Sequence, residues 1–128
     1  MRASLLLFLI VGGCAAATHY VVTLGVDALT GIEPAWSNLI GFLTAFPVSY
    51  FGHRNLSFAG TQAPHRQALP RLFAVSASAF VGNQIMLAAL LRYTPLPLWI
   101  ALAVVLVFVA LSTWLLGRYW AFAHRAAA

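Results

Sequence analysis

The sequence predicts an all-α integral membrane protein of four transmembrane helices. They are expected as a tandem, parallel duplication of a two-helix hairpin, with both termini cytoplasmic. Three observations carry this. Charged residues make up 7% of the 128-residue chain and hydrophobic residues 62%, whereas a soluble domain usually carries about 25% charge. With so little polar surface to face water, lipid is the fitting solvent. Four apolar stretches approach the ~20 residues a helix needs to cross the hydrocarbon core. Finally, the second and fourth stretches end in matching signatures, FGHRNLSF at 51–58 and LGRYWAF at 116–122.

The first span covers about residues 5–26. Its opening, MRASLLLFLIVGGCAAA, resembles a secretory signal peptide, and VGGC at 11–14 loosely resembles a lipoprotein cleavage site. The apolar run continues past Cys14 to Val26, too long for a signal's apolar region, so a retained span is expected. Cys14 is the only cysteine, which excludes an internal disulfide and a thiolate metal cluster. It is expected to be a small buried residue.

The second span, about 35–51, follows Pro34, where a missing N–H costs little. Pro47 lies inside it and should kink it, freeing a carbonyl near Leu43. A polar segment near 59–71 leads to the third span, about 72–91, and Pro95 and Pro97 introduce the fourth, about 98–116. One membrane domain, 1–128, with repeats of about 1–64 and 65–128 and little mass outside the bilayer, is the expected organisation.

Orientation follows from the arginines, since lysine is absent. Arg2, Arg54, Arg66, Arg71, Arg118 and Arg125 fall at the termini and the middle connection, which four spans put on one side. Arg92, Asp27 and Glu33 fall on the other. The bias puts both termini in the cytoplasm. It also accounts for the basic pI of about 10.4 without nucleic acid, because no basic face stands outside the membrane.

A shift of 64 residues aligns Arg54 with Arg118, Phe58 with Phe122, Tyr50 with Trp114, Leu56 with Trp120, Arg2 with Arg66 and His19 with Asn83. The matches fall at equivalent points of a repeated hairpin: span start, intramembrane polar site and cytoplasmic span end. At such an end two uses are open. An arginine stem can lie on apolar surface with its guanidinium among headgroups, beside the interfacial rings of Tyr119, Trp120 and Phe122. Alternatively, Arg54 and Arg118 can bind phosphate in a forked, bidentate way, with the aromatic faces as platforms for sugar rings.

His19, Asn83 and Gln84 lie within the first and third spans. Polar groups there are costly unless they face partners or a cavity, so each is either an interhelical hydrogen-bonding residue or part of a site. For Gln84 the bonding role is preferred. Ser49, Ser76, Ser78, Thr44 and Ser112 are expected to bond backbone carbonyls. Small-residue ladders at Ala74, Ser78 and Gly82, and at Gly12–Ala16 and Gly13–Ala17, are expected to permit close helix packing. No Asp or Glu lies inside a span, which argues against a carboxylate-driven antiporter of the small multidrug type. No phosphate-cradling loop, nucleophile elbow or HExxH pair occurs, so neither an enzyme, a cofactor nor a metal site is expected.

Together, HRNLSF at 53–58, GRYWAF at 117–122, RLFAVSASAFVGNQIML at 71–87 and the Gly12, Gly13, His19 set resemble the GtrA-like family of small four-span membrane proteins over essentially the whole chain. The family's N-R-x-W-x-F motif departs here: His53 and Gly117 stand for its asparagine and Leu56 for its tryptophan, and His19 replaces an expected asparagine. The retained positions are Arg54, Phe58, Arg118, Trp120 and Phe122. The resemblance implies a multi-pass protein of the bacterial cytoplasmic membrane that moves a polyprenyl-phosphate-linked sugar across for cell-surface polysaccharide synthesis. Arg54 and Arg118 would take the phosphate, and His19, Asn83 and Gln84 would replace sugar hydration midway. Implied partners are membrane lipid, the lipid-linked sugar, a membrane glycosyltransferase and a second copy in a homodimer. The alternative is a non-transporting subunit that anchors or regulates a polyprenyl-phosphate glycosyltransferase.

Overall fold

The computed structural model describes residues 2–57 and 64–116. They form helix α1 (Arg2–Thr30), helix α2 (Pro34–Gly52), a π-helical turn at His53–Ser57, helix α3 (His65–Tyr93) and helix α4 (Leu98–Leu116). No strand occurs among the described residues.

Helix α1 outruns its expected end and stops at Gly31, whose φ of 67° is a backbone state open to glycine at no steric cost. There the Gly31 N–H donates to the Asp27 carbonyl at 2.9 Å. Glu33 is extended and Pro34 opens α2, so two antiparallel helices are joined by three residues. Helix α3 begins at His65 rather than near Leu72, absorbing much of the segment read as a polar connection. Its first turns, HRQALP, are mostly good helix formers. Pro70 falls early in the helix and removes one backbone bond, to the Arg66 carbonyl, without ending it.

Leu5–Thr30 and His65–Tyr93 are each long and apolar enough to cross a membrane, and Leu98–Ser112 within α4 is a shorter apolar stretch. Helix α2 has 19 residues, enough to span, but Ser37, Asn38, Thr44 and Ser49 dilute its apolar character. Ser37 and Asn38 are turned fully inward.

The helices pair as hairpins, α1 with α2 and α3 with α4, and α2–α3 and α1–α4 contacts join them. The α1–α2 contact is the most extensive, and glycine makes it close. A Cβ at Gly41 would stand 2.8 Å from the His19 carbonyl oxygen and closer still to Thr23 Oγ1; one at Gly52 would stand 2.6 Å from Val11 Cγ1. The α3–α4 hairpin is apolar instead: Leu87, Ala101, Leu102 and Val105 are buried together, with Tyr20, Met86 and Leu90 packed on them. The Tyr20 hydroxyl donates to the Trp99 carbonyl at 2.9 Å, tying α1 to α4.

Two packing expectations change. Gly12, Gly13 and Gly82 have open space where a Cβ would stand, and Ala74, Ser78 and Gly82 are exposed. The Ala74–Ser78–Gly82 and Gly13–Ala17 ladders face outward, Gly12 is part-buried without a close neighbour, and the close approach belongs to α2. Cys14 is exposed rather than buried, on a helix whose outer face also carries Leu6, Leu9 and Ile10. An apolar exterior of this kind suits lipid, where a small residue faces the tails at no cost.

Candidate functional site

Four polar side chains from three helices meet inside the bundle. Asn38, in the second turn of α2, is the hub. Its Nδ2 donates to Asn83 Oδ1 at 2.7 Å and to Gln84 Oε1 at 2.9 Å, both on α3. Its Oδ1 lies 2.6 Å from His19 Nε2 on α1. Gln84 Nε2 donates to the backbone carbonyl of Ala35 at 2.9 Å. Asn38 is fully buried, and Asn83 and His19 are 3% and 7% exposed.

A backbone carbonyl fixes the direction of every bond in this network. The Ala35 oxygen can only accept, so Gln84 must turn its NH₂ toward it and its oxygen toward Asn38. Asn38 must then offer its NH₂ to α3, which leaves its oxygen facing His19. His19 therefore donates through Nε2–H.

Beside this network a cavity of about 160 Å³ opens between α1, α2 and α3. Ala15, Ala16 and His19 line it from α1; Phe42, Ala45, Phe46 and Ser49 from α2; and Ser76 from α3. Phe42 stacks on Phe80 with centroids 4.5 Å apart, and Phe46 meets Phe73 edge-on at 5.2 Å. These rings stiffen the wall. Thr44 and Ser78 bond the carbonyls of Ile40 and Ala74, as expected for helix hydroxyls. Ser49 and Ser76 face the cavity.

Further along α2, buried Tyr50 bonds through its hydroxyl to His65 Nδ1 at the start of α3. Beyond it the π turn carries His53 against Phe8, with ring centroids 4.7 Å apart, and partial burial pushes the His53 imidazole below its usual pKa. Arg54 sits in the same turn, half-buried.

Of the residues expected to form a site, His19, Asn83 and Gln84 come together. Arg54 does not join them: at 1.5 Å per residue it lies about 24 Å along the helix from Asn38. Phe58, Arg118, Tyr119, Trp120 and Phe122 lie outside the described residues. Among the three polar residues, only His19 lines the cavity, while Asn83 and Gln84 bond to Asn38 behind it. Asn38 itself was not singled out. Its signal was an amide inside the second apolar stretch, the same cue that marked Asn83.

The family described as GtrA/DPMS, transmembrane domain, has a model that matches residues 7–122. No curated protein and no solved structure matches the chain. The match runs from the first turns of α1 past the end of α4, and the apolar helices agree with it: the chain is a membrane protein belonging to the GtrA/DPMS transmembrane-domain family.

Proposed function

We propose that this protein moves a polyprenyl-phosphate-linked sugar across the bacterial cytoplasmic membrane, supplying cell-surface polysaccharide synthesis or modification. The observation that supports this reading is the cavity between α1, α2 and α3, which brings open space to a buried histidine and the amide network behind it. The lipid tail stays in the bilayer, and only the phosphate and sugar follow the protein. Arg54, and Arg118 in the matching motif, take the phosphate at the cytoplasmic face through their guanidinium forks. Transfer runs downhill as the sugar is consumed on the far side. The whole chain, 1–128, acts as one domain of two repeated hairpins with cytoplasmic termini. The outward ladder at Ala74, Ser78 and Gly82 suits close contact with a second copy.

A second reading is favoured by the amides. Asn83 and Gln84 are occupied by Asn38, as expected of a subunit that anchors or regulates a polyprenyl-phosphate glycosyltransferase and carries nothing itself. Transfer of a polyprenyl-phosphate sugar across proteoliposomes containing only this protein separates the two. The expected result is transfer that falls in both Arg54→Ala and Arg118→Ala. Folded protein without transfer would leave the subunit reading.

A further inference from the structure

His19 has two ring nitrogens, and the amide network uses one. Gln84, held by the Ala35 carbonyl, orients Asn38, and Asn38 in turn demands a proton on His19 Nε2. A neutral imidazole with its proton on Nε2 carries a lone pair on Nδ1 and can only accept there. The ring's Cδ2 edge lies against Gly41, so the opposite edge, which contains Nδ1, points away from that contact. The buried side-chain atoms without a partner among the described residues are Thr23 Oγ1 and Ser37 Oγ. Nδ1 is not one of them, and His19 lines the cavity. The free acceptor therefore opens onto that space.

Three features define what the cavity can hold. Its polar groups are the Nδ1 acceptor and the hydroxyls of Ser49 and Ser76, which both donate and accept. Its walls include the rings of Phe42 and Phe46. Among the described residues no charged side chain lines it, and the chain's two acids, Asp27 and Glu33, lie toward and beyond the end of α1. A charged ligand group would stand there without a counterion, which is costly at this depth. At ~10–15 Å³ of such volume per water, the ~160 Å³ takes roughly 11 to 16 water-sized groups, room for one sugar ring.

We propose that this cavity is a recognition pocket for a single uncharged polyol ring, in which His19 Nδ1 accepts a hydroxyl proton and Asn38 is the positioning residue that keeps Nδ1 bare. The pocket rests on the lipid-linked-sugar reading, but the tautomer lock can be tested without it. Asn83 and Gln84 act through Asn38 and do not touch the ligand.

Nitrogen-15 NMR of histidine-labelled protein in micelles reads the lock directly, with the His19 signals assigned by their loss in His19→Gln. The expected result is a protonated Nε2 and an unprotonated Nδ1, with the Nδ1–H form appearing in Asn38→Ala. An Nδ1–H or doubly protonated ring in the unsubstituted protein would overturn the proposal, whatever Asn38→Ala does to folding. Binding of a short-chain polyprenyl phosphate, with and without a glucosyl group, tests the pocket. One or two neutral hydrogen bonds predict about tenfold tighter binding of the glucosylated lipid, and a glucuronosyl lipid should bind no better than the bare phosphate. His19→Gln should erase the preference, because its amide can still donate to Asn38 but puts no acceptor at Nδ1. Equal binding of the bare and glucosylated lipids sinks the pocket and spares the lipid reading. Failure to bind either sinks both.

Discussion

The two hairpins are held together by different physics. In α3–α4, Leu87, Ala101, Leu102 and Val105 interlock as they would in a soluble core. In α1–α2, glycine brings backbones together and amides bridge to α3. Lipid is as apolar as leucine, so the first arrangement gains only packing, whereas the second needs every polar group matched to a partner. A polar interior that is harder to satisfy, lying next to a cavity, is where function is to be sought. The apolar hairpin is the frame.

The largest effect should come from filling the glycine contact. A side chain at Gly41 meets the His19 carbonyl, and backbone cannot rotate away. Gly41→Leu is expected to cost at least ~3 kcal/mol, the upper end for overpacking, in SDS unfolding followed by helical circular dichroism. Gly82→Leu, with open space around it, should leave single-chain stability unchanged or improved, since leucine is the better helix former. Equal losses from both would mean that the Gly82 face is packed too, by a second copy.

Next comes Leu102→Ala in the frame. Truncating a fully buried leucine costs about 2 kcal/mol or more, yet transfer across proteoliposomes should persist at temperatures where the variant stays folded. Asn38→Ala should show the reverse pattern. It removes three hydrogen bonds, each worth ~0.6 kcal/mol in a bundle of this type, so about 2 kcal/mol is again expected, but with loss of transfer in protein that remains folded. Matching behaviour of the two variants would erase the distinction between frame and site.

Much of this was legible in the sequence, and the reasons differ by residue. Helix α4 begins where the apolar run does, at Leu98, because a stretch rich in Leu, Val and Ala after two prolines leaves no other reading. His19, Asn83 and Gln84 were marked by the cost of polar groups in lipid. Asn38, also inside an apolar stretch, escaped because the 64-residue shift sets it against Leu102 and so gives it no polar counterpart. Its partners, moreover, lie 19 and 45 positions away in the chain. Gly41 and Gly52 were missed for the same reason. A small residue shows that close approach is allowed, but only the helix register shows whether it is used, and the more regular ladders at Gly13 and Gly82 face outward.

Thr23 and Ser37 give the smallest effect and the finest test. Thr18, Thr30, Thr44, Ser78 and Thr94 each bond the carbonyl four residues earlier. Thr23 and Ser37, both fully buried, have no hydrogen-bond partner among the described residues. Thr23 Oγ1 instead lies against Gly41, where a weak Cα–H···O contact is the available compensation. Removing an unmatched buried hydroxyl while keeping the side chain's shape is near neutral or stabilising. Thr23→Val should therefore change SDS stability by less than ~0.5 kcal/mol or raise it, whereas Asn38→Ala, one helix away, lowers it. A clear loss in Thr23→Val would reveal a partner for the hydroxyl, such as a bound water, and would extend the satisfied polar network along α1 from His19 to the glycine contact.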